Sequence, residues 1–220
     1  MKNARYYVVI QSRMYYFCSL YFNISSTLMD HLITPHPLQP FLPKGAKVLL
    51  LGSFPPKSQR WSMDFYYPNI QNDMWRIMGL VFYNDKDYFI VGNKFEEVCI
   101  REFCTQKGIA IGDTAKAVIR LNDNAADRFL DIVEHTDLDA LLKQIPNCHT
   151  IITTGQKATD ALLSIMPAME PKIGSYSEFR YHDRTLKLYR MPSTSRAYPK
   201  PLHEKASVYR KMFEEIDLLL

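Results

Sequence analysis

Four short segments of this sequence combine turn-forming residues with side chains suited to chemistry: Gly52-Ser53-Phe54-Pro55-Pro56, Gly112-Asp113-Thr114-Ala115-Lys116, Thr153-Thr154-Gly155-Gln156-Lys157 and Pro192-Ser193-Thr194-Ser195-Arg196. Between the first two lies an aromatic and polar stretch that contains Asp64, Phe65, Tyr66, Tyr67, Asn72 and Asp73. Each group has a chemical and a structural reading. The aromatic faces suit stacking on a planar ligand, and equally suit a core. Asn72 both donates and accepts hydrogen bonds, and is also a favoured helix N-cap. The carboxylates of Asp64, Asp73 and Asp113 only accept when ionised, and Asp73 also suits the first turn of a helix.

The elements that must position these groups are legible from apolar runs. Residues 47–51, 108–111, 150–154 and 186–191 are short runs, each closed by glycine or proline, as expected of buried parallel strands. Helical periodicity runs through residues 72–80, 125–142, 156–165 and 202–220. Strands alternating with helices predict a three-layer α/β/α sandwich around a central, mainly parallel four-stranded sheet. In such a sheet the four polar segments converge on the carboxyl edge, where ligands bind. Residues 31–45 carry Pro35, Pro37, Pro40 and Pro43, too many missing amides for a helix or central strand. The expected division is therefore an N-terminal extension and entry loop over 1–45 and one α/β domain over 46–220.

Composition narrows the class. A chain of 220 residues, 47% hydrophobic and 23% charged, can bury one sizeable core. The net charge of +4 permits a polyanionic partner without requiring one. Cys18, Cys99, Cys104 and Cys148 form no CxxC pair and no zinc or iron–sulfur spacing, so reduced thiols in a cytoplasmic setting are expected. The apolar N-terminus imitates a signal peptide, but Gln11, Ser12 and Arg13 interrupt it, and no run of about 20 apolar residues could cross a membrane. It reads as a peripheral strand or hairpin, or as an extension upstream of a start at Met29. No P-loop and no GxGxxG follows any strand.

The combination of Gly52-Ser53-Phe54-Pro55-Pro56, the succession Tyr66-Tyr67-Pro68-Asn69-Ile70-Gln71-Asn72-Asp73-Met74-Trp75-Arg76, and Met191-Pro192-Ser193-Thr194-Ser195 resembles the uracil-DNA glycosylase superfamily. Within it, the branch of mismatch-specific and hypoxanthine-type enzymes is nearest. The resemblance runs from residue 47 to the carboxyl terminus. It implies excision of a damaged or mismatched base from DNA by hydrolysis of the N-glycosidic bond, after the base has been rotated out of the duplex. No metal or other cofactor is implied, and no membrane or protein partner.

By the same resemblance, Asn72 orients the attacking water, with Asp64 and Asp73 as carboxylate alternatives. Ser53, Phe54, Phe65, Tyr66 and Asp113 contact the base, Tyr66 being the first choice for stacking among Phe65, Tyr66 and Tyr67. Pro192, Ser193, Thr194 and Ser195 enter the minor groove, while Arg196 and Lys200, with His203 and Lys205 beyond them, meet phosphates. The sequence departs from the family at two places. Phe54 stands where many relatives carry aspartate or asparagine, and Asp113 stands where a base-reading asparagine is common. Two alternatives follow: a non-catalytic nucleic-acid-binding member of this fold, or an unrelated α/β enzyme acting on a small nucleotide-like substrate.

Overall fold

The structure, a computed structural model, describes residues 33–120 and 130–219. The segment 47–51 forms β2 (Val48–Gly52), whose five residues are all buried. Val48 and Leu50 face one side of the sheet and Leu49 and Leu51 the other, as the two-residue repeat of a strand requires. Strands β5 (Ile109–Asp113), β8 (Thr150–Thr154) and β10 (Arg184–Met191) join β2 in parallel, in the order β5-β2-β8-β10.

A fifth strand, β9 (Ser175–Tyr181), extends that sheet antiparallel to β10 and corrects the expected four strands to five. Its sequence SYSEFRY has no apolar run because it is an edge strand with only Phe179 buried. The hairpin to β10 turns at His182-Asp183, with His182 at φ 48°, and lacks the glycine that would have marked it.

Helices cover both faces. On one side α1 (Met74–Tyr83), α2 (Glu97–Lys107) and α5 (Leu202–Glu215) bury Trp75, Ile77, Phe103, Tyr209 and Phe213 against Val48, Leu50 and Ile152. On the other, α3 (Leu138–Gln144) and α4 (Gln156–Leu163) bury Leu141, Leu142 and Leu162 against Leu49, Leu51 and Ile151. Among the described residues no helix is long and apolar enough to cross a membrane.

A second, three-stranded sheet sits beside the first, in the order β1 (Ile33–Pro35), β6 (Ala115–Arg120), β7 (Leu130–His135), all antiparallel. It corrects the helix expected over 125–142: within the described residues that stretch is strand β7 followed by α3. The sequence LDIVEH buries Leu130 and half-buries Ile132 by alternation, and Asp137 begins α3 by accepting the Ala140 amide at 2.9 Å. The proline-rich segment carries Pro35 in an edge strand, where a missing amide is tolerated. Phe41 makes an antiparallel bridge to Ile111, binding this segment to β5. A two-stranded ribbon, β3 (Ile90–Val91) with β4 (Lys94–Phe95), links α1 to α2. The readings made for the first 32 residues lie outside the described residues.

Candidate active site

A cleft of about 800 Å³ opens at the carboxyl edge of the parallel strands. Gly52, Asp113 and Thr154 stand at the ends of β2, β5 and β8, and the loop after β10 supplies Ser193 to Tyr198. Two glycines make this convergence possible. A Cβ on Gly52 would lie 2.4 Å from Asp113 Oδ1, so the carboxylate occupies the space a side chain would fill. Gly155, at φ 89°, brings the end of β8 against Ser193, whose Cβ would be 3.2 Å from an added methyl group.

Asp113 is 7% exposed and lines the cleft. His36 Nε2 lies 2.8 Å from its Oδ2. The imidazole is held in turn: its ring meets Phe54 edge-on at 5.0 Å and stacks on Tyr66 at 5.9 Å, and its Nδ1 lies 2.8 Å from the Leu38 carbonyl and 3.1 Å from the Leu38 amide.

Of the three successive aromatics, Tyr67 lines the cleft; Phe65 and Tyr66 do not. Phe65 packs on Phe41 and Trp75 beneath the Arg101 guanidinium, and Tyr66 is buried against His36. The first choice for stacking is thereby corrected. Tyr67 has φ 54°, a left-handed conformation costly for a non-glycine residue. The neighbouring loop holds it there: both the amide and the hydroxyl of Ser62 donate to Pro68 O at 2.9 Å, and Trp75 Nε1 donates to Tyr66 O at 3.0 Å. Tyr67 shares a 3.0 Å hydrogen bond with Thr154. Burial, then the Asp113 charge, pushes the Tyr67 hydroxyl well above its usual range, so it stays a neutral donor. The Tyr66 hydroxyl is raised by the same two causes.

Asn72 lines the cleft at the start of α1. Its Oδ1 accepts the Met74 amide at 2.9 Å, which is the capping role. That oxygen keeps a second lone pair and the side-chain amide keeps two donors. Capping and orientation of a cleft water are thus compatible.

The neighbouring Asp73 makes no side-chain cap hydrogen bond of its own and turns instead to basic side chains. Lys205 Nζ lies 2.9 Å from its Oδ2, Arg196 Nε lies 3.3 Å from its Oδ1, and its amide donates to Thr194 O at 2.9 Å. Lys205 also donates to Ser195 O at 2.8 Å and is 1% exposed. It cannot meet a phosphate, contrary to the expectation from its position; it ties α5 to α1 and to the loop after β10.

The remaining expectations divide. Ser53, Phe54, Ser193, Thr194, Ser195 and Arg196 line the cleft. Phe54 is 8% exposed and packs on Ala115, Val118 and Leu130. Pro192 is buried with its carbonyl accepting the Tyr209 hydroxyl, and Lys200 turns to Glu204 at 3.4 Å; neither lines the cleft. Asp64 is exposed and away from it, with its amide donating to Glu97 and its carbonyl accepting from Arg101. Spacing missed His36 and Thr154. For Thr154 the signal was its place in TTG at a strand end. For His36 there was none, because 77 residues separate it from Asp113.

No family model and no curated protein matches the chain. Among solved structures, the solution structure of a "putative Uracil DNA glycosylase" from Methanosarcina acetivorans superposes with a TM-score of 0.57 at 21% identity, over 84% of this chain and 99% of that one. The two share a fold. At that identity the likeness speaks for the architecture and leaves the chemistry to the cleft itself.

Proposed function

We propose that this chain is a monofunctional DNA glycosylase of the mismatch-specific or hypoxanthine type, acting on a base rotated out of the duplex. The observation that carries the reading is the convergence of Asn72, Asp113, Tyr67 and the Ser193–Arg196 loop on one cleft. The solved glycosylase-like fold supports it.

In this reading the extruded base enters beside Tyr67 and Asp113. Asn72 orients a water toward the sugar carbon. As the N-glycosidic bond breaks, the electron pair leaves with the base, and donors such as the Tyr67 hydroxyl and the amides of the residue 52–54 loop stabilise that developing anion. The water adds to the sugar and its proton passes, through solvent, to the departed base anion, leaving an abasic site and the neutral free base. Ser193, Ser195 and the half-exposed Arg196 on the rim would hold flanking phosphates. We place the protein in a reducing, cytoplasmic setting on the cysteine spacing alone.

The test incubates the protein with duplexes carrying uracil, hypoxanthine, xanthine or mismatched thymine and reveals abasic sites with alkali. Wild type should release at least one of these bases. Asn72→Ala should slow release by about 100-fold or more, as loss of a general acid–base or water-orienting group does. Tight DNA binding without release would favour a binding module instead, a reading that the apolar Phe54 in the first loop would then explain.

A further inference from the structure

The His36–Asp113 pair decides which hydrogen-bonding pattern the cleft accepts. Asp113 is nearly buried, and a buried carboxylate stays ionised only where partners compensate its lost hydration. His36, 9% exposed, supplies that partner at 2.8 Å. With Nδ1 against the Leu38 backbone, the ring is oriented with Nε2 toward Asp113, where its N–H donates to Oδ2. The other oxygen, Oδ1, lies over Gly52 on the cleft floor with no Cβ to screen it. The cleft floor therefore carries a carboxyl oxygen whose twin is engaged by His36.

That matters because bases differ at the ring nitrogen beside the exocyclic group. Lactam bases (uracil, thymine, guanine, hypoxanthine and xanthine) carry N–H there, whereas cytosine and adenine carry a lone pair. An ionised carboxylate attracts the first pattern and repels the second. Resting on the glycosylase reading above, we propose that His36 is a positioning residue that holds Asp113 as an obligate acceptor and so restricts the enzyme to lactam bases, by their ring N–H.

The decisive experiment compares excision rates on paired duplexes that differ by one methyl group, hypoxanthine against 1-methylhypoxanthine and uracil against 3-methyluracil. Methylation removes the N–H and leaves the rest of the lactam. Wild type should favour the unmethylated member of the pair it cleaves. His36→Phe keeps a ring against Phe54 and Tyr66 but deprives Asp113 of the donor that orients its carboxyl, so the preference should fall by about tenfold or more, the worth of a hydrogen bond to a charged group. His36→Gln retains a side-chain N–H and should restore much of it. In an Asp113→Asn background, His36→Phe should leave the preference unchanged, since a residue acting only through Asp113 has nothing further to lose. Release of unmethylated bases with a preference that His36→Phe does not alter, or alters equally in the Asp113→Asn background, overturns this inference and leaves the glycosylase reading standing. Release of no base from any duplex overturns both.

Discussion

Two buried aspartates, Asp113 lining the cleft and Asp73 next to the cleft residue Asn72, are kept in opposite ways. Asp73 is bound by two basic side chains, Lys205 and Arg196, and its own amide donates to Thr194 O. Asp113 has His36 as its side-chain partner, aromatic walls around that partner, and its other oxygen lying against Gly52 in the cleft lining. The first arrangement spends its charge on joining α1, α5 and the loop after β10, and leaves little to offer a ligand. The second leaves one acceptor uncommitted. Burial alone therefore does not mark a functional carboxylate; what its neighbours leave unspent does.

The sharpest way to break the contrast is to remove the cation behind Asp73. Lys205→Met leaves a buried carboxylate facing only a half-exposed arginine, and urea unfolding should show a loss of about 3–5 kcal/mol. If Asp73 were as loosely committed as Asp113, the loss would be far smaller. Gly52→Ala attacks the other member: its methyl group would sit 2.4 Å from Asp113 Oδ1 and 3.1 Å from the Tyr67 hydroxyl. It should cost about 1–3 kcal/mol of stability by overpacking, and should depress base release much more than DNA affinity. Unchanged release would mean that the position of Asp113 is not critical. The smallest effect is expected at Arg196, whose side chain is 50% exposed. Arg196→Ala should alter stability by no more than about 1 kcal/mol, while lowering DNA affinity and reducing the slope of log affinity against log salt by about 1. An unaltered slope would assign Arg196 to the Asp73 cluster alone.

The contrast also explains what the sequence could convey. Strands β2, β5, β8 and β10 are legible because each is an apolar run closed by glycine or proline, and their common orientation brings the segments that carry Asn72 and Asp113 to one edge. Strand β9 is not, because an edge strand with one buried side chain has no hydrophobic signature. Among Phe65, Tyr66 and Tyr67, alternation cannot say which faces the cleft when Tyr67 adopts a left-handed conformation and breaks the strand-like repeat. Lys205 was legible as a charge but not as a buried one, since its burial depends on Asp73, 132 positions away. Local pattern conveys elements; the partners that tune a carboxylate come from distant segments and emerge only when the chain closes.

The Lys205 clamp has a bearing on the order in which the protein becomes competent during synthesis. Strands β2, β5 and β8, with Asn72 and Asp113, all precede α5 in the chain. At roughly 5–20 residues per second, translation would expose this N-terminal part of the cleft for several seconds before Lys205 reaches Asp73 and Ser195. A nascent chain stalled before α5 should therefore carry the acidic floor of the cleft without the finished loop after β10, so any DNA affinity that the proposed function requires should arrive with the last helix.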